Sequence, residues 1–123
     1  LKPIIHLTIM SGARDGTPIS FSHQAGNGVW EGSAWAIRIG RNSDNDLTLN
    51  DDDFSSGNHA SLLQTPAGWL LQDHNSTNGT FIDVGGEDER LPKLGSVTLH
   101  PKQLFRVGRT WLRIDPTDDD PSE

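Results

Sequence analysis

The chain has 123 residues, a net charge of −7 and no cysteine; that is enough for one domain with its own core, and it leaves out disulfides and thiolate metal sites. No apolar run approaches the ~18–20 residues that cross a bilayer as a helix. With ten basic residues against seventeen acidic ones, it is poorly suited to direct nucleic-acid binding, which rests on many phosphate contacts.

Period-two alternation begins at once: Ile5, Leu7 and Ile9 share one face of a strand while His6 and Thr8 take the other. Turn signals follow at Gly12 and Asp15-Gly16. Ser22–Ser33 is a glycine-rich insertion, expected to be a long hairpin or loop, with Trp30 packing over the end of the fold. Trp35, Ile37 and Ile39 alternate with Ala36 and Arg38, and Leu47 and Leu49 flank Thr48. Trp69-Leu70-Leu71 is a short apolar run after Pro66-Ala67-Gly68, and Asn78-Gly79 carries a hairpin signal of type I′. Gly85–Lys93, with Glu87, Asp88 and Glu89, reads as an exposed loop. Leu104-Phe105-Arg106-Val107 and the alternation of Leu112 and Ile114 with Trp111 and Arg113 close the pattern. Helical spacing is not sustained over any twelve-residue window, so the prediction is all-β: about ten or eleven short strands in an antiparallel sandwich.

The acidic excess is concentrated at the end. Asp115, Asp118, Asp119, Asp120 and Glu123 lie in the last nine residues; setting these five aside leaves twelve acidic against ten basic residues. Residues 1–115 are expected to form the domain and 116–123 an acidic, solvated tail or linker, with Asp115 at its start. Because the sequence opens on Leu1, it is expected to be a domain of a longer protein. The lack of cysteine, and of a small-residue cleavage site behind Leu1–Met10, points to a cytoplasmic setting, or to the intracellular side of a larger protein, without a membrane partner.

Three polar clusters stand at the ends of apolar runs: Gly40-Arg41, Ser55-Ser56-Gly57-Asn58-His59, and Asn75-Ser76-Thr77-Asn78-Gly79-Thr80-Phe81. An arginine fork, hydroxyl groups and backbone N–H groups in tight turns are suited to a phosphate dianion. No catalytic base, nucleophile or carboxylate pair is arranged beside them, so a binding module is expected rather than an enzyme. No cofactor or metal is expected. The histidines are scattered, and Asp51-x-Asp53-x-Ser55 lacks the glycine and the glutamate that a calcium loop requires, with Leu62 at the twelfth position. His59 is expected to be a structural hydrogen-bonding residue. Asn75-Ser76-Thr77 fits the glycosylation pattern, which matters only in a secreted protein.

Arg38-Ile39-Gly40-Arg41 through Leu47, then Ser56-x-x-His59, then Ser76-Thr77-Asn78-Gly79-Thr80-Phe81 resemble, in order and spacing, a forkhead-associated (FHA) domain. The resemblance spans Ile37 to Asp83, and the flanking strands are compatible with it. It implies an eleven-stranded β-sandwich of the FHA/SMAD type that reads phosphothreonine peptides in Ser/Thr kinase signalling. It further implies phosphopeptide contacts from Arg41, Ser56, Thr77 and Asn78, with Gly40, His59 and Gly79 shaping the loops. Gly57 departs from the pattern: it stands where the family often has arginine or asparagine. The loop from Asn50 to Ser56 is one residue longer than usual, which makes Ser55 a rival to Ser56; the spacing to His59 favours Ser56. Asp51, Asp52 and Asp53 beside it would repel phosphate or select a basic residue. A small footprint of this kind implies micromolar affinity, roughly −8 kcal/mol. The alternative is a phosphorylation-independent assembly domain on the same fold.

Overall fold

A computed structural model describes residues 3–116 of the chain. Twelve strands run in order: β1 (Ile4–Ile9), β2 (Pro18–Ser22), β3 (Val29–Glu31), β4 (Ala34–Gly40), β5 (Leu47–Thr48), β6 (Ala60–Thr65), β7 (Gly68–Asp73), β8 (Thr80–Val84), β9 (Glu87–Arg90), β10 (Ser96–Leu99), β11 (Leu104–Val107) and β12 (Thr110–Asp115). They form two sheets, β2-β1-β12-β11-β8-β9 and β10-β7-β6-β4-β3, with β5 paired to β4. Among the described residues a single 3-10 turn, Gly12–Arg14, interrupts the strands.

The alternation seen in the sequence becomes rows of side chains running across each sheet. Ile9 faces Leu112, Leu112 faces Phe105, and Phe105 faces Ile82. In the second sheet Ile37, Leu62, Leu71 and Val97 are likewise in register. Most of these residues are fully buried, and together they fill the space between the sheets. Each buried aliphatic side chain contributes roughly 1.5–3 kcal/mol of transfer free energy. Trp35 is completely buried, and Trp69 packs edge-on against it at 6.0 Å.

Several local expectations are corrected. The strand count is twelve rather than eleven, and the sandwich is not wholly antiparallel, because the two-residue β5 runs parallel to β4. Gly85–Lys93 is not a loop. Gly85 and Gly86, both at positive φ, make a two-residue turn, and Glu87–Arg90 returns as β9 along β8. Every β9 side chain is exposed, so no hydrophobic period marks that strand. Asn78-Gly79 is not a type I′ hairpin: only Gly79 has positive φ, and the segment carries the chain from one sheet to the other. Trp30 stays 53% exposed at the β3 edge, where His23 meets it edge-on.

Asp115 belongs to β12 rather than to a solvated tail. It accepts hydrogen bonds from the Thr8 hydroxyl and the Arg113 guanidinium, both at 2.6 Å. Residues 117–123 of the expected tail lie outside the described residues. No described helix is long and apolar enough to cross a membrane.

Candidate functional site

All three polar clusters meet at one end of the sandwich, where β4, β6, β7 and β8 begin or end. Gly40 closes β4, and the following backbone is zipped to the serine loop. The Arg41 N–H donates to the Ser56 carbonyl at 3.0 Å and the Asn42 N–H to the Gly57 carbonyl at 3.1 Å. Buried Asn45 strengthens this seam, its Nδ2 donating to the carbonyls of Asn42 and Gly57 at 2.8 and 2.7 Å. The seam explains Gly40: a Cβ there would lie 2.3 Å from the Gly57 carbonyl oxygen.

The third cluster joins through side chains. The Thr77 N–H donates to the Ser56 hydroxyl at 3.2 Å, and the Asn78 Nδ2 donates to the Phe54 carbonyl at 3.0 Å. Arg41, Thr77 and Asn78 are exposed and Ser56 is half-buried. Among the described residues, Arg41 makes no ion pair. Ser55 differs sharply from Ser56, being 3% exposed with its hydroxyl turned back to the Ser56 carbonyl.

His59 lies fully buried beneath the loops. Its Nδ1 accepts the Ser56 N–H at 2.9 Å, and its Nε2 donates to the Gly79 carbonyl at 2.8 Å. That pairing requires the neutral ring with its proton on Nε2. Burial drives the His59 pKa below its ordinary value, against the opposing pull of the Gly79 carbonyl and of Asp73 and Asp52.

Two buried carboxylates brace the site, and the sequence reading missed both roles. Asp73, at the end of β7, accepts the Ser76 and Thr80 hydroxyls together with the Ser76 and Leu94 N–H groups. Burial opposes its ionisation, but these hydrogen bonds outweigh burial and hold its pKa below the ordinary carboxylate value. The short polar run after Asp73 is a signal for such a turn.

Asp52, 6% exposed, accepts the Phe54 N–H, the Arg109 N–H and the Thr110 hydroxyl. It ties the serine loop to the β11–β12 turn and does not face outward. Asp51 pairs with Arg14 at 2.9 Å, and the Arg109 guanidinium lies over the Phe54 ring at 3.6 Å. Of the three aspartates, only Asp53 is both exposed and without an ion pair among the described residues.

The sequence profile of the family described as FHA domain matches residues 37–108. The chain is 30% identical over 111 residues to the FHA domain-containing protein FhaB of Mycobacterium tuberculosis, covering 90% of this chain and 60% of FhaB. It is 40% identical over 77 residues to the ABC transporter ATP-binding/permease protein Rv1747 of the same organism, covering 63% of this chain and 8% of that protein. The chain therefore spans less than two thirds of either relative's length.

Among solved structures, it resembles the FHA domain of an Arabidopsis thaliana hypothetical protein with a TM-score of 0.72 and 23% identity, covering 98% of this chain and 92% of that one. It also resembles the N-terminal FHA domain of S. cerevisiae Rad53p in complex with a phosphothreonine peptide, with a TM-score of 0.70 and 23% identity over 94% of this chain and 95% of that one. These likenesses show the same sandwich.

Proposed function

This chain belongs to the forkhead-associated domain family, and we propose that it is a binding module that recognises phosphothreonine on partner proteins in Ser/Thr kinase signalling. The observation that carries this reading is the convergence of three loops on Ser56: Arg41 donates to its carbonyl, Thr77 to its hydroxyl and its own N–H is held by His59. A phosphothreonine side chain brings about −1.5 to −2 charges and three acceptor oxygens. The Arg41 guanidinium supplies a permanently charged fork. The Ser56 oxygen accepts the Thr77 N–H, and its own O–H proton remains free to donate outward.

Ser55 takes no part in this reading, since its hydroxyl is buried and spent on a carbonyl. Gly57 contributes backbone alone. Asn78 uses one amide hydrogen on Phe54, which leaves a donor and an acceptor for the backbone of the bound peptide. Gly40, His59 and Gly79 keep the loops in place. The module comprises residues 1–115, followed by an acidic linker, and works in the cytoplasm without cofactor or catalysis. Assembly independent of phosphorylation is the weaker alternative. Its support from the aspartates falls away where Asp52 turns inward and Asp51 is paired.

Screening the protein against a degenerate phosphothreonine peptide library, beside its unphosphorylated twin, tests the proposal. Enrichment confined to the phosphorylated library is expected. Equal capture of both would favour phosphate-independent assembly.

A further inference from the structure

Glycine at position 57 calls for a physical reason. Its φ is not in the left-handed region, so the turn does not demand it. The constraint is a neighbour: a Cβ on Gly57 would lie 2.7 Å from Nδ2 and 3.0 Å from Cγ and Oδ1 of Asn42. The Asn42 carboxamide therefore fills the space in which a side chain at 57 would begin.

The backbone of Asn42 is fully engaged. Its N–H donates to the Gly57 carbonyl, and its carbonyl accepts the N–H and the Nδ2 of Asn45. Its side chain is different: Asn42 is exposed, and its carboxamide has no hydrogen-bond partner among the described residues. A donor–acceptor group is thus seated on the Gly57 backbone, one residue from Arg41 and across the seam from Ser56. Along the serine loop, Asn78 is tied to Phe54 and Asn42 rests on Gly57, so two carboxamides bracket Ser56.

We infer that Asn42 is a further phosphopeptide-binding contact, its carboxamide hydrogen-bonding the backbone of the bound phosphopeptide from the space that Gly57 leaves open. The inference rests on the phosphopeptide reading of the site. A carboxamide offers an N–H and a C=O in one plane, matching the amide of an extended peptide. Being uncharged, it neither competes with Arg41 for the phosphate nor repels it.

The test follows backbone amide signals of the isotope-labelled protein during two titrations. One uses a blocked peptide with a single phosphothreonine between alanines, the other inorganic phosphate. Asn42→Ala is expected to weaken the peptide by about five- to tenfold, the loss of one hydrogen bond, and to leave inorganic phosphate within about twofold. Gly57→Ala, which pushes the carboxamide aside, is expected to weaken the peptide similarly in the wild-type background and to add little to Asn42→Ala. Arg41→Ala should lose both ligands. If the wild type binds the peptide and Asn42→Ala binds it equally well, or loses inorganic phosphate to the same degree, the inference about Asn42 is overturned while the site stands. If the wild type responds to neither ligand, the phosphate site itself is refuted, and the inference with it.

Discussion

Ser56 and His59 are joined by a hydrogen bond from the Ser56 N–H to the His59 Nδ1 at 2.9 Å, and the same ring reaches the Gly79 carbonyl at 2.8 Å. One buried imidazole thus sets the height of the serine loop against the β7–β8 loop. Protonation would place an N–H against the Ser56 N–H, breaking the link.

A pH dependence follows. The unfolded ring takes up a proton near its ordinary value of 6.5, whereas burial lowers the folded value. Between the two, the unfolded chain holds more protons, so stability is full above about 6.5 and falls as the pH drops through it. Urea denaturation without ligand should show a falling midpoint between pH 7.5 and 5.5. Working without ligand excludes the titration of phosphate itself. A His59 ring signal that titrates at an ordinary value, with the Ser56 amide signal unmoved, would contradict this account.

Asp73 predicts a second, separate acid limb. Its carboxylate is 1% exposed and accepts four hydrogen bonds. Asp73→Ala is expected to cost about 2–4 kcal/mol by leaving buried donors unpaired. Because the folded pKa lies below the ordinary value of 3.8, the stability from this group is present above that value and is lost as the pH falls through it toward the folded pKa. Equilibrium unfolding of the variant should therefore show a flatter acid limb than the wild type, in addition to its lower midpoint.

The two adjacent serines should separate cleanly. Ser56→Ala is expected to reduce affinity for a phosphothreonine peptide by about 10- to 100-fold, the range of a hydrogen bond to a charged group, with little change in unfolding. Ser55→Ala should leave affinity within about threefold, since it removes only a buried bond to a carbonyl. Calorimetric titration checks both. The reverse ranking would move the phosphate to Ser55.

Gly40 tests the seam between the first two loops. Gly40→Ala places a Cβ against the Gly57 carbonyl oxygen at 2.3 Å, where neither backbone can yield without opening the Arg41–Ser56 bond. A loss of about 1–3 kcal/mol, typical of overpacking, is expected in urea denaturation, together with weakened peptide binding.

The core strands and the family were legible because alternation at Ile5–Ile9, Trp35–Ile39 and Leu112–Ile114 carries its own burial signal, and because the three clusters keep their order. β9 was not legible, since four exposed polar residues have no hydrophobic period and are held by backbone pairing with β8 and by the Asp88–Arg106 ion pair. The inward turn of Asp52 was hidden for a related reason. Its partners, Arg109 and Thr110, lie more than fifty residues away in the chain, and a run of three aspartates looks uniformly solvated until the fold sets one apart. The Asn78-Gly79 pair misled because the same dipeptide serves a hairpin and a crossing between sheets. The seating of Asn42 on Gly57 could not be read from spacing at all, because it depends on the register of the Arg41–Ser56 seam.

The most direct test of phosphate recognition is a calorimetric titration of the wild type and of Arg41→Ala with one peptide in its phosphothreonine and unphosphorylated forms. The account predicts micromolar binding of the phosphorylated peptide by the wild type, none of the unphosphorylated one, and none of either by Arg41→Ala, whose unfolding should match the wild type. Equal binding of both peptides, or unchanged affinity in Arg41→Ala, would contradict it.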